Sequence, residues 1–195
     1  MPGTKGTVSA LHFDINRPIH LARRDAFFER AAELLYQPVA ELDATARLEH
    51  VSRVLQLLST AQQHATFATR SAQATGPEQD FLHFLRLVAG NLRSVHSMTQ
   101  HQDHLEGENG FLCRFLHAPP EECALPAMHY RRRADDILQG IWHLLRLAHE
   151  PYRTLQQASQ QALSPAEQER YRKAYQSFRQ ELQAAEAPQP AAPPT

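Results

Sequence analysis

Histidine is the residue type with the most chemical potential in this chain, which carries twelve of them. Imidazoles repeated at helical spacing are the usual ligands of iron and zinc in helical proteins. A four-helix di-iron site needs Glu-x-x-His pairs, and the chain has none. A hemerythrin-like site needs His-x-x-x-Glu, then His-x-x-x-His, then His-x-x-x-x-Asp. His104 and Glu108 supply the first spacing and no pair supplies the second. The third occurs only at His20 and Asp25, ahead of the first instead of after it. His-Glu-x-x-His is also absent. The histidines therefore read as solvated or hydrogen-bonded groups on helix surfaces, and no metal or other cofactor is expected. A hemerythrin-like helical protein that binds metal or dioxygen stands as an alternative, as does a helical protein-interaction module.

Nucleophilic chemistry has no better footing. There is no Gly-x-Ser-x-Gly elbow and no Gly-rich phosphate loop, so an enzyme is not expected. Two cysteines, Cys113 and Cys123, are too few for a disulfide scaffold or a Cys-based zinc site. Cys113 lies between Leu112 and Phe115 and reads as a small buried hydrophobe.

Charge and hydropathy narrow the partners. Lys+Arg is 20 against Asp+Glu 21, a net charge of −1 with no evident basic stripe, so nucleic acid is not an expected partner. No run of about 18 apolar residues exists to insert into a membrane. Residues Met1–Ala10 are small and polar, without the apolar stretch of a secretory signal. Arg23-Arg24 looks like a twin-arginine signal, but the residues after it carry charges throughout. The expected compartment is the cytoplasm.

The elements that must position any site are helices. The chain has 10 Val and Ile against 24 Leu, a balance that favours helix over strand. The expected fold is all-α, a single-domain bundle of six to seven helices with disordered ends. Residues 1–18 read as a flexible arm, 19–186 as the helical domain and 187–195 as a disordered Pro/Ala-rich tail. Phe27, Phe28, Ala31, Leu34 and Leu35 recur at helical steps in a helix from about Ile19 to Tyr36, which Pro38 stops. Leu48, Val51, Leu55, Leu58, Ala61 and Ala65 mark a second helix between about Leu42 and Ser71. After the Gly76-Pro77 break, Phe81, Leu85, Val88, Leu92 and Val95 mark a third. A short helix is expected to begin near Asp103, capped by that side chain. A loop follows from Pro119 to about Pro126, then a helix to about His149. Pro151 interrupts that helix, and a shorter piece runs to Leu163. Ser164-Pro165-Ala166-Glu167 combines a capping box with Pro at the first helical position and opens the last helix.

Three stretches together carry a resemblance. Arg24-x-x-x-Phe28-x-x-Ala31-x-x-Leu34-Leu35-x-x-Pro38 is similar to the opening helix of the TorD/NarJ/DmsD family of molybdoenzyme chaperones. Asp103-His104-Leu105-x-x-Glu108-x-x-Phe111-Leu112 looks like that family's Asp-His-Leu segment. Ala148-His149-Glu150-Pro151-Tyr152-x-x-Leu155 resembles its late helix. The order of the three matches the family, and they span residues 24–155.

The resemblance implies a cytoplasmic, non-enzymatic chaperone. Its partner would be the precursor of a molybdenum oxidoreductase catalytic subunit, held through its twin-arginine signal. A homodimer is compatible with this reading. The ligand is two arginines followed by an apolar stretch, so its receptor needs carboxylates at one end and an apolar groove at the other. The segment assigned to that task by resemblance is Asp103, His104, Leu105, Glu108, Phe111 and Leu112. His104 and Glu108 are four apart and share a helix face.

Overall fold

Among the described residues the apolar periods condense into six helices: α1 (Lys5–Leu35), α2 (Ala44–Ala68), α3 (Gly76–Glu106), α4 (Phe111–Leu116), α5 (Pro120–Gln161) and α6 (Pro165–Ala184). The structure is a computed structural model that describes residues 5–39, 41–106 and 110–185, with side chains from Asp14 onward. No strand occurs among the described residues, and the chain is an all-α, single-domain bundle. None of the described helices is long and apolar enough to cross a membrane.

Cross-helix contacts set the directions. Arg17 Nη1 donates to Ala68 O at 3.0 Å, and the His50 ring bonds Leu34 O at 3.1 Å, so α1 and α2 are antiparallel. Thr45 Oγ1 donates to Asp103 at 2.7 Å and the His96 ring meets Ser52 at 3.0 Å, so α3 turns back along α2. Ser159 bonds Glu78, and the His101 and Tyr130 rings lie 5.0 Å apart, which runs α5 antiparallel to α3. α6 then lies parallel to α1, with Tyr171 on Asp25 and Arg179 on Glu33. The result is an up-and-down arrangement of α1, α2, α3 and α5, with α6 laid along α1.

The stripes expected from sequence form the main core. Phe28, Leu34, Val51, Leu58, Leu85, Leu92, Leu138 and Ile141 are all buried in one cluster. Fully burying a side chain of this size contributes about 1.5–3 kcal/mol. A second cluster of Leu21, Ala22, Ala68, Leu163 and Tyr171 seals α6 onto α1. Local signals mark the ends. The Asp43 side chain accepts from Ala46 N at 2.8 Å at the start of α2. Glu167 accepts from the Ser164 backbone N–H at 2.8 Å and opens α6 as its sequence predicts. Trp142 Nε1 donates to Leu35 O at 2.6 Å, satisfying a carbonyl that α1 leaves open at its end.

Several expectations need correction. α1 begins at Lys5, not near Ile19, so residues 5–18, read from sequence as an arm, belong to the helix. Arg17 and Pro18 are buried within α1 and are held there by tertiary contacts. The expected tail at 187–195 lies outside the described residues. α3 runs on through Glu106, so Asp103 sits in its last turn and does not start a helix. The short helix begins at Phe111 and ends at Leu116, capped by His117, whose φ of 51° is left-handed. The expected loop before Pro126 and the break at Pro151 are absent, and α5 passes through both prolines. Each proline leaves one carbonyl four residues back without its helical partner. Both prolines are exposed, which places that defect toward water.

Cys113 is not a free buried thiol. It is bonded to Cys123, with the two Cα atoms 6.2 Å apart, and ties α4 to the first turns of α5. Such pairs form in oxidising surroundings and stay as thiols in the cytosol. Protein held under oxidising conditions should show no free thiol until a reductant is added. Closing a loop of this size stabilises by about 2–3 kcal/mol. Reduction should therefore lower the urea-unfolding free energy by about 2 kcal/mol, and Cys123→Ser should abolish the difference.

A second test concerns the α1–α2 contact. The His20 and His64 rings meet Nδ1 to Nδ1 at 2.9 Å, beside Phe67. Burial, with the charges of Arg23 and His20, pushes the His64 pKa down to about 4. Burial also lowers His50. The unfolded chain takes up these protons near 6.5. Between about 6.5 and 4 the unfolded state binds more protons, so stability falls as pH drops through that window. Urea midpoints taken from pH 7.5 to 4.5 should decline, and His64→Gln should flatten the decline without removing the His50 share.

Candidate peptide-binding groove

α1 carries three carboxylates at four-residue steps: Asp25, Glu29 and Glu33. Four-residue spacing puts them in one row. α6 carries Tyr171, Tyr175 and Arg179 at the same spacing. Because α6 lies parallel to α1, the rows meet rung by rung. Tyr171 donates to Asp25 Oδ2 at 2.8 Å, Tyr175 donates to Glu29 Oε2, and Arg179 donates to Glu33 at 2.7 Å. From α5, Tyr152 and Gln156 both reach Glu29 Oε1, at 3.0 and 2.9 Å. Glu29 thus joins three helices.

Charge continues inward from this row. Arg24 is buried, bonds Asp25 at 2.7 Å and lies over the Phe81 ring. Arg17 grips Glu78 with two bonds of 2.7 and 2.9 Å, and Ser159 and the Thr75 N–H complete the carboxylate's set. Burial opposes the Glu78 charge, yet the bonds from Arg17 and Thr75 hold its pKa below the ordinary value. Glu33 is likewise held low against burial by Arg30 and Arg179. Burial, reinforced by the adjacent carboxylates, raises Tyr152, Tyr171 and Tyr175, so these hydroxyls stay protonated as donors.

Two clefts open along this row. One, of 370 Å³, is walled by Phe28, Ala32 and Tyr36 of α1 and by Leu145, Ala148 and Tyr152 of α5. Glu29 and Glu33 line its α1 side, and His149 and Arg153 its α5 side. The other, of 540 Å³, is lined by amides and phenols, among them Gln160, Gln168, Tyr171 and Tyr175. Glu29 and Gln156 line both, so an apolar cleft and a polar cleft adjoin at Glu29 and together form the two parts of the channel. The Phe28 and Tyr152 rings, 4.7 Å apart and edge to face, wall the apolar cleft.

The segment chosen from sequence lies elsewhere. α3 and α5 are antiparallel, and this channel is on the Glu78–Ser159 side of the pair, while Asp103 is at the far end of α3. Asp103 is 0% exposed and bound to Thr45, so it faces the core and not a groove. His104 is half-buried, its ring 4.8 Å from Phe111. Leu105 and Leu112 are half-buried and Phe111 is exposed. Glu108 lies outside the described residues. Asp103 is thus taken up by the bundle, while His104 packs on Phe111. The row at Asp25, Glu29 and Glu33 was missed, although its i, i+4, i+8 spacing was visible. Among the described residues, no three His, Cys, Asp or Glu side chains gather closely enough to hold a metal ion.

The fold and channel define a class: an all-α bundle with a carboxylate-edged apolar groove between its first, fifth and sixth helices. Comparisons with models of known protein families, with curated proteins and with solved structures find no match.

The buried pair behind the groove is testable. Glu78→Ala leaves the Arg17 charge buried and uncompensated, which should cost about 3–5 kcal/mol in urea unfolding. Replacing both residues by leucine should cost less than the single change.

Proposed function

We propose that this chain is a non-enzymatic chaperone of a molybdenum-cofactor oxidoreductase. It would assist assembly, cofactor insertion and export proofreading by binding the twin-arginine signal or the apo form of the catalytic subunit in the cytoplasm. The proposal places the receiving surface in the α1–α5–α6 channel and not at residues 103–112. One observation carries it: two of the three family-like stretches converge on that channel. Phe28 comes from the first, and Ala148, His149 and Tyr152 come from the third.

The chemistry of the channel suits the ligand. Glu29 and Glu33 offer carboxylates to guanidinium groups, which recognise them in paired, planar fashion. Glu33 already holds Arg30 and Arg179, so a peptide arginine enters by exchange with a like group. Phe28, Leu145 and Tyr152 offer an apolar wall to the stretch that follows.

Calorimetric titration with a synthetic peptide of two arginines and an apolar stretch tests the reading. Ala148→Glu and Glu33→Lys should each weaken binding about tenfold or more, since the first sets a charge against the apolar stretch and the second a like charge against the arginines. Lysines in place of the peptide's arginines should also weaken it. Absence of binding by the unaltered protein would overturn the proposal. Equal affinity in both variants would remove the ligand from this channel.

A further inference from the structure

The outward face of α5 near its start carries a symmetric pattern. Glu121, Leu125, Met128 and Arg132 follow one another at steps of four, three and four residues. On a helix this spacing makes a single straight stripe. The opposite face holds Cys123, Ala127 and Ala134, all buried, so the stripe points away from the bundle. Leu125 is 69% exposed and Met128 60%, and Glu121 and Arg132 are exposed at either end. Together with Pro126 and His129, three of these residues edge a shallow surface depression. Among the described residues, neither Glu121 nor Arg132 makes an ion pair within the chain.

The order of the stripe is acid, apolar, apolar, base. Glu121 and Arg132 are equidistant from its midpoint, and so are Leu125 and Met128. A copy of the helix turned end for end about that midpoint sets Glu121 against Arg132, Leu125 against Met128, and the reverse. No other orientation does so: a parallel copy sets Glu121 against Glu121 and Arg132 against Arg132. We infer that this stripe is a two-fold interface between two copies of the chain, paired antiparallel along α5. A closed two-fold contact must be self-complementary in this way, because each residue meets its counterpart's partner twice. The stripe is three helical turns, about 16 Å, long. Other orientations set like charges against each other, which gives it a single register. This inference is independent of the peptide channel, which lies on the later half of α5.

Sedimentation equilibrium of the full chain, over a concentration range and at low and high salt, reads the interface directly. The unaltered protein should form a dimer that weakens with salt. Glu121→Arg should weaken it about tenfold or more, because two arginines then meet at each end of the stripe. Arg132→Glu should do the same. The double variant Glu121→Arg/Arg132→Glu reverses both ends together and should restore the dimer to within about threefold of the original. Leu125→Glu should give monomer, and thermal melts of each variant show that the fold persists. A chain that is monomeric at every concentration overturns the inference. So does a dimer indifferent to Leu125→Glu, or a double variant no better than its single parents.

Discussion

Arg17 against Glu78 is the contact on which the arrangement turns. An arginine in the first helix is wholly buried, and a charge in that position is tolerable only with a well-placed counter-charge and full hydrogen bonding. Glu78 supplies both, from the first turn of α3. The same carboxylate takes a bond from Ser159 near the end of α5. One ion pair therefore fixes the middle of α1, the start of α3 and the end of α5 relative to one another.

The acidic row on α1 extends the same logic toward the surface. Asp25 is satisfied by Arg24 and Tyr171, Glu29 by two tyrosines and a glutamine, and Glu33 by two arginines. Burial decreases along the row from Asp25 to Glu33. The inner end is committed to holding α6 in place, and the outer end keeps a carboxylate that water can reach. A groove wall built this way is held before any ligand arrives, which spares the entropy of ordering it on binding.

The long α3–α5 pair separates two regions that the resemblance had placed together. Asp103 belongs to the end where α2 begins, and its bond to Thr45 secures that end. Phe28 and Tyr152 belong to the other half. The prolines at 126 and 151 do not divide α5, since packing of Cys123, Ala127, Tyr152 and Leu155 continues on the inner side while the proline defects face water. α5 is thereby long enough to present the groove on one half and the Glu121–Arg132 stripe on the other.

The sequence by itself determined the helical class and the buried faces. Leu58, Leu85, Leu92 and Ile141 lie where a 3.6-residue period puts them, and the Ser164–Glu167 box opens α6 as read. These are local properties, decided by residues within a few positions of each other. Helix ends were less legible: Pro18, Pro126 and Pro151 all read as breaks, and tertiary packing overrode each one. The assembly of the groove was not legible. Arg17 and Glu78 are 61 positions apart, and Tyr171 and Asp25 are 146 apart. Nothing near Asp25 or Glu29 records which hydroxyl will reach it. The spacing of a carboxylate row can be read from one helix, but its partners are set only when α6 lies parallel to α1 and brings a second row into step.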